Sequence, residues 1–83
     1  MALYFVEYDL RKTRNYQPFW DELARFSAVR VLRSLWCFKR GETSAGGLRD
    51  YFKRYIDADD GLCVMEVTDW GTYNTEKTPN DLK

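Results

Sequence analysis

Residues 3–9 read Leu3-Tyr4-Phe5-Val6-Glu7-Tyr8-Asp9, an apolar run that ends on one carboxylate. Aromatic and branched side chains at this density favour a pleated, half-buried surface, so the run predicts a strand. Its alternation places Leu3 and Phe5 on one face and Tyr4, Val6 and Tyr8 on the other. A strand apolar on both faces is covered on both faces. The run delivers Asp9 to the C-terminal end of the strand, where the chain turns through Arg11, Lys12 and Arg14. A carboxylate in that place could hold a divalent metal, or simply cap the turn.

Working outward, Tyr16, Phe19, Trp20, Leu23 and Phe26 recur at helical spacing and predict an amphipathic helix over residues 16–27, with Asn15 as its N-cap. Residues 29–39 contain no Gly, Pro, Asn or Asp, yet their alternation breaks near Arg33-Ser34. Two short strands, 29–32 and 34–39, joined by a very tight bend account for that break. Leu48, Tyr51, Phe52, Tyr55 and Ile56 predict a second helix, about 45–57, capped by Ser44. Asp57-Ala58-Asp59-Asp60-Gly61 ends it, and residues 62–68 form a last strand that is apolar on both faces. The order is β-α-β-β-α-β: an α+β chain of ferredoxin-like type, with both helices on one face of an antiparallel sheet. The first and last strands, expected at the centre, leave apolar residues on the other face, and a second copy is the simplest cover. Trp70 and Tyr73 would then extend the sheet or clasp that copy. Residues 1–73 make the domain, and 74–83 read as a polar, flexible tail.

Composition excludes several chemistries. With no histidine, Ser/His and Cys/His nucleophile pairs and the usual zinc sites are absent. The apolar runs are strand-length, well short of the about 20 residues a bilayer span needs. The start, Met1-Ala2-Leu3-Tyr4, has no charged region followed by an apolar stretch, so a cytoplasmic chain is expected. In that compartment Cys37 and Cys63 are expected to be two small buried thiols. Net charge is zero, but residues 1–54 carry 11 Lys/Arg against 6 Asp/Glu, and residues 55–83 carry 2 against 7. Arg11, Lys12, Arg14, Arg30, Arg33, Lys39 and Arg40 are the candidate phosphate contacts. Asp57, Asp59, Asp60 and Asp69 lack the spacing of a calcium loop and fit a helix-ending turn.

The strand ending in Tyr8-Asp9, the basic turn, Ala28-Val29-Arg30-Val31-Leu32-Arg33-Ser34-Leu35-Trp36 before the second helix, and Asp59-Asp60 before the last strand resemble one group. They are similar to the CRISPR-associated small ferredoxin-like proteins of spacer acquisition. The resemblance is closest to Cas-like relatives of the SinR type, more distantly to the virulence-associated protein D ribonucleases, and covers about residues 2–70. It implies a homodimer with facing sheets and a C-terminal segment joined to the partner's sheet. It also implies one of two activities. The first is metal-dependent cleavage of RNA or DNA, with Asp9 of both protomers holding Mg²⁺; the second is non-catalytic bridging of nucleic acid and a larger protein complex. Ser34, Leu35 and Trp36 match the family pattern, and Cys37 stands where a glutamate is common. Three functions follow: a dimeric binder of nucleic acid or a protein partner, a metal-dependent endonuclease, or an interaction module alone.

Overall fold

The computed structural model describes residues 1–83. Four strands, β1 (Ala2–Asp9), β2 (Val29–Leu32), β3 (Leu35–Arg40) and β4 (Gly61–Val67), alternate with two helices, α1 (Gln17–Arg25) and α2 (Ala45–Phe52). All neighbouring strands pair antiparallel, in the order β2-β3-β1-β4. The chain is therefore a small α+β protein with a four-stranded antiparallel sheet and two helices, an arrangement compatible with a ferredoxin-like fold.

Both helices press on one face of the sheet. Tyr4, Val6 and Tyr8 of β1 and Phe38 of β3 bury against Phe19 and Leu23 of α1 and Leu48 and Phe52 of α2. Phe19, Phe38 and Phe52 are fully buried, and Phe26, Phe38 and Phe52 meet with ring centroids 5.0–6.0 Å apart. Large rings thus supply the area that so short a chain cannot gather from aliphatic residues.

Several local expectations are corrected. Tyr16, not Asn15, is the N-cap of α1; Asn15 Oδ1 still accepts the Gln17 N–H at 3.0 Å from one position earlier. Helix α1 stops at Arg25, where Ser27 takes a left-handed φ of 58° and its N–H reaches Ala24 O. Ser44 caps α2 as expected, accepting the Gly47 N–H at 3.1 Å. That helix ends at Phe52 and tightens into a 3-10 turn, Lys53–Tyr55, because the Asp57 N–H turns to the Asp60 carboxylate at 2.7 Å instead of a helical carbonyl. The bend between β2 and β3 is a two-residue turn, Arg33-Ser34, with Leu32 opposite Leu35. Of the two strands expected at the centre, only β1 is there; β4 is an edge, because β3 fills the other side of β1.

The helix-free face is where the structure departs most from expectation. Residues 74–83 do not leave the domain as a loose tail. The Glu76 N–H bonds to Val31 O at 2.9 Å, Pro79 is buried in a 3-10 turn (Pro79–Asp81), and Leu82 and Trp70 pack on the cluster of Phe5, Val31 and Cys37. A reciprocal cap fixes that turn: Thr78 Oγ1 accepts from Asn80 N–H while Asp81 accepts from Thr78 N–H. The chain's own end therefore roofs the β2-β3-β1 part of this face. The β4 part stays open, with Met65 36% exposed; Tyr73, 87% exposed, reaches neither the sheet nor the segment.

The same asymmetry separates the two cysteines. Cys37 lies under the C-terminal segment with no exposure, whereas Cys63, on the unroofed edge strand, is exposed rather than buried. Burial, with a contribution from the Asp81 charge, pushes the Cys37 thiol up to about 11. One thiol per chain should therefore react with an aromatic disulfide reagent at pH 8, and two in denaturant. Ending the chain at residue 73 should make the second thiol reactive in the folded protein. Slow reaction of Cys37 in the shortened chain would show that the segment is not its cover.

Candidate functional site

Asp9, where the sequence reading centres its chemistry, sits at the end of β1 opposite Gly61 of β4. Its side chain is 72% exposed, and its one partner is the Arg11 guanidinium at 3.1 Å. No group of three or more acidic or thiol side chains is arranged to hold a metal ion there or elsewhere. A Mg²⁺ ion prefers one or two carboxylates with its remaining positions open to water and phosphate. Within one chain Asp9 offers a single exposed carboxylate, paired with the Arg11 guanidinium.

The basic turn after β1 is spoken for by the acidic turn before β4. Arg11 donates to Asp59 O at 2.8 Å, Lys12 Nζ lies 2.8 Å from Asp59 Oδ2, and Arg14 lies 3.6 Å from Asp57 Oδ2. Asp60 is the centre of the junction. It accepts the Arg11 N–H, the Asp57 N–H and the Tyr16 hydroxyl, each at 2.7 Å. Burial raises the Asp60 carboxyl, but these three donors and the Arg14 charge outweigh it and hold the group below its usual value. The Tyr16 hydroxyl is raised by its own burial and by the bond it gives to Asp60. Asp57, Asp59 and Asp60 thus form a helix-ending turn, as their spacing implies; its carboxylates pair with Lys12 and Arg14, while Arg11 pairs with Asp9 and bonds the Asp59 carbonyl.

At the β2–β3 turn, Arg33 O accepts three donors: the Tyr8 hydroxyl at 3.0 Å, and Arg30 through Nε at 3.0 Å and Nη2 at 2.6 Å. The Arg30 guanidinium also lies over the Trp36 ring, 5.7 Å from its centroid. Ser34 Oγ donates to Glu7 Oε2 at 2.6 Å, and the Tyr8 oxygen accepts from the indole N–H groups of Trp20 and Trp36. A turn with no glycine is held this way by Arg30 of the adjoining β2 and by the Tyr8 hydroxyl of β1. Arg30 gives two of its N–H groups to the Arg33 carbonyl and keeps its charge without a carboxylate partner.

Four of the seven candidate cations have no carboxylate partner: Arg30, which bonds only the Arg33 carbonyl, and Arg33, Lys39 and Arg40. Arg33 stands at the turn, and Lys39 and Arg40 at the far end of β3. The Arg40 guanidinium rests over the Phe26 ring at 4.3 Å. Sequence reasoning missed two residues beside them. Arg25, on the last turn of α1, keeps only a 3.9 Å approach to Glu22. Glu22 is 7% exposed and accepts the Tyr51 hydroxyl at 2.5 Å. That bond, a second one to Tyr55 and burial push the Tyr51 hydroxyl well above its ordinary range. A carboxylate at a position facing the helix core was the available signal for Glu22; Arg25 gave none.

No family model matches the chain, and no solved structure matches it.

The Asp60 junction has a pH signature. A carboxyl held below its ordinary value of 3.8 contributes stability that is present above that pH and lost as acid protonates it. Between about pH 5 and about pH 3, the urea midpoint of the native protein should fall more steeply than that of Asp60→Asn. Parallel slopes would show that Asp60 is not the group being titrated.

Proposed function

We propose that this chain is a ferredoxin-like, Cas-like protein that forms a homodimer and binds nucleic acid through phosphate contacts without cutting it. The observation that carries the binding role is the uneven pairing of its cations. Arg11, Lys12 and Arg14 are matched by acids, whereas Arg30, Arg33, Lys39 and Arg40 have no acid partner on the surface. Unpaired guanidinium and ammonium groups on a protein with no net charge are suited to a phosphate backbone. The contacts therefore shift from the loop after β1 to the ends of β3.

The dimer draws on the helix-free face. The C-terminal segment covers part of it, and exposed Met65 and Cys63 lie beside β4, whose outer edge has no strand partner. An open apolar edge of that kind is a template for another chain. The same edge would serve a different protein partner in a larger complex. A metal-dependent endonuclease is the alternative. It requires Asp9 of a second copy to complete what one copy lacks, and it draws on the exposure of Asp9 and its position on the helix-free side with Glu7, two residues away.

Binding of a labelled single-stranded DNA or RNA should weaken steeply with salt. Lys39→Ala and Arg33→Ala should each lower the slope of log Kd against log salt by about one, the share of one phosphate contact. Arg11→Ala and Lys12→Ala should leave the slope unchanged. Binding that ignores salt would remove the phosphate reading. With Mg²⁺ present, both nucleic acids should stay intact; cleavage lost in Asp9→Asn would establish the nuclease instead. Sedimentation equilibrium should return twice the chain mass, and a single-chain mass would remove the dimer.

A further inference from the structure

The two cations that flank the end of α1, Arg25 and Arg40, divide two adjoining clefts. The larger, about 630 Å³, is also lined by Glu22, Glu42 and Tyr51, so its charge is mixed. The smaller, about 250 Å³, is lined by Met1, Arg25, Phe26, Ser27, Lys39, Arg40, Leu82 and Lys83, with no acidic side chain in its wall. Arg25, Lys39, Arg40 and Lys83, from three separate parts of the chain, line one concavity. At about 30 Å³ per water, the cleft has room for roughly eight waters, enough for a phosphate and part of its sugar.

We propose that this smaller cleft seats a terminal phosphate monoester, the phosphorylated end of a nucleic acid strand, an inference that rests on the nucleic-acid reading above. A backbone diester carries one charge per phosphate and runs along a surface. A monoester carries about −1.5 to −2 at neutral pH, with three strong acceptor oxygens. A concavity lined by two arginines and two lysines matches the second species better than the first. Stacking on Phe26 limits where the Arg40 guanidinium can swing, so less freedom is lost on binding. The negative end of α1 borders the cleft, but its carbonyls are engaged: Leu23 O accepts from Phe26 and Ala28, and Ala24 O from Ser27. Asp81, near the end of the chain, is held in its bond from Thr78. The C-terminal segment, by lying across the sheet, is what brings Lys83 to this wall.

The test compares a 5′-phosphorylated single-stranded oligonucleotide, the same oligonucleotide with a 5′-hydroxyl, and inorganic pyrophosphate alone. The phosphorylated strand should bind about tenfold tighter than its hydroxyl twin, the effect of one or two charge-assisted hydrogen bonds. That advantage should vanish in Arg25→Gln and in Lys83→Ala, both exposed positions, with melting temperatures unchanged. Equal affinity for the two strands overturns the terminal-phosphate seat and leaves backbone binding standing. An advantage that survives both substitutions overturns its location. Pyrophosphate binding that needs Arg25 and Lys83, with neither strand bound, keeps the seat for free phosphates and removes the nucleic-acid reading.

Discussion

A central strand that is apolar on both faces obliges this short chain to cover two sides of one sheet. The aromatic packing of α1 and α2 covers one side fully, with Phe19, Phe38 and Phe52 sealed at its centre. Nothing comparable is left for the other. Ten residues of mostly polar sequence do that work in part, using Pro79, Leu82 and one backbone bond to Val31. The remainder, along β4, is left open to water. Everything proposed about a second copy or another partner follows from this incomplete cover, because exposed apolar edge strands pair readily with other chains.

Charge is distributed by the same economy of contacts. The loop after β1 and the loop before β4 meet because β1 and β4 pair antiparallel, bringing Asp9 opposite Gly61. Lys12 and Arg14 of the first loop then find Asp59 and Asp57 of the second, while the Arg11 guanidinium pairs with Asp9 and bonds the Asp59 carbonyl. Individual exposed pairs of this kind contribute only about 0.2–1 kcal/mol. Asp60 differs from them, since it also satisfies two backbone N–H groups and the buried Tyr16 hydroxyl. Cations without an acid partner stand at the turn between β2 and β3 and at the opposite end of the sheet. There Arg25, Lys39, Arg40 and Lys83 surround one small cleft.

Much of the fold was legible because periodicity is a local property. The alternation of residues 3–9 and the 3-4 spacing of Phe19, Leu23, Leu48 and Phe52 each report which side of an element is buried, and they reported it correctly. The two-residue turn at Arg33-Ser34 was readable only as a break in alternation. Of the donors that hold it, Arg30 lies three residues away in β2 and Tyr8 comes from β1, and no turn residue marks it. The candidate site was less legible. A basic run such as Arg11, Lys12 and Arg14 looks available until its partners 45 or so residues away are placed beside it. Arg25 and Lys83, distant in sequence, carry no shared spacing at all.

The amino-acid sequence by itself determined the number, kind and order of the elements, the helix-facing core, and the absence of histidine chemistry, since each depends on residues close together or on composition. Tertiary structure alone decided that β4 is an edge, that the last ten residues lie across the sheet, and which cations keep their charge unmatched. Those outcomes depend on pairing between segments far apart in the chain, where antiparallel registry and packing choose among partners that local pattern leaves equivalent.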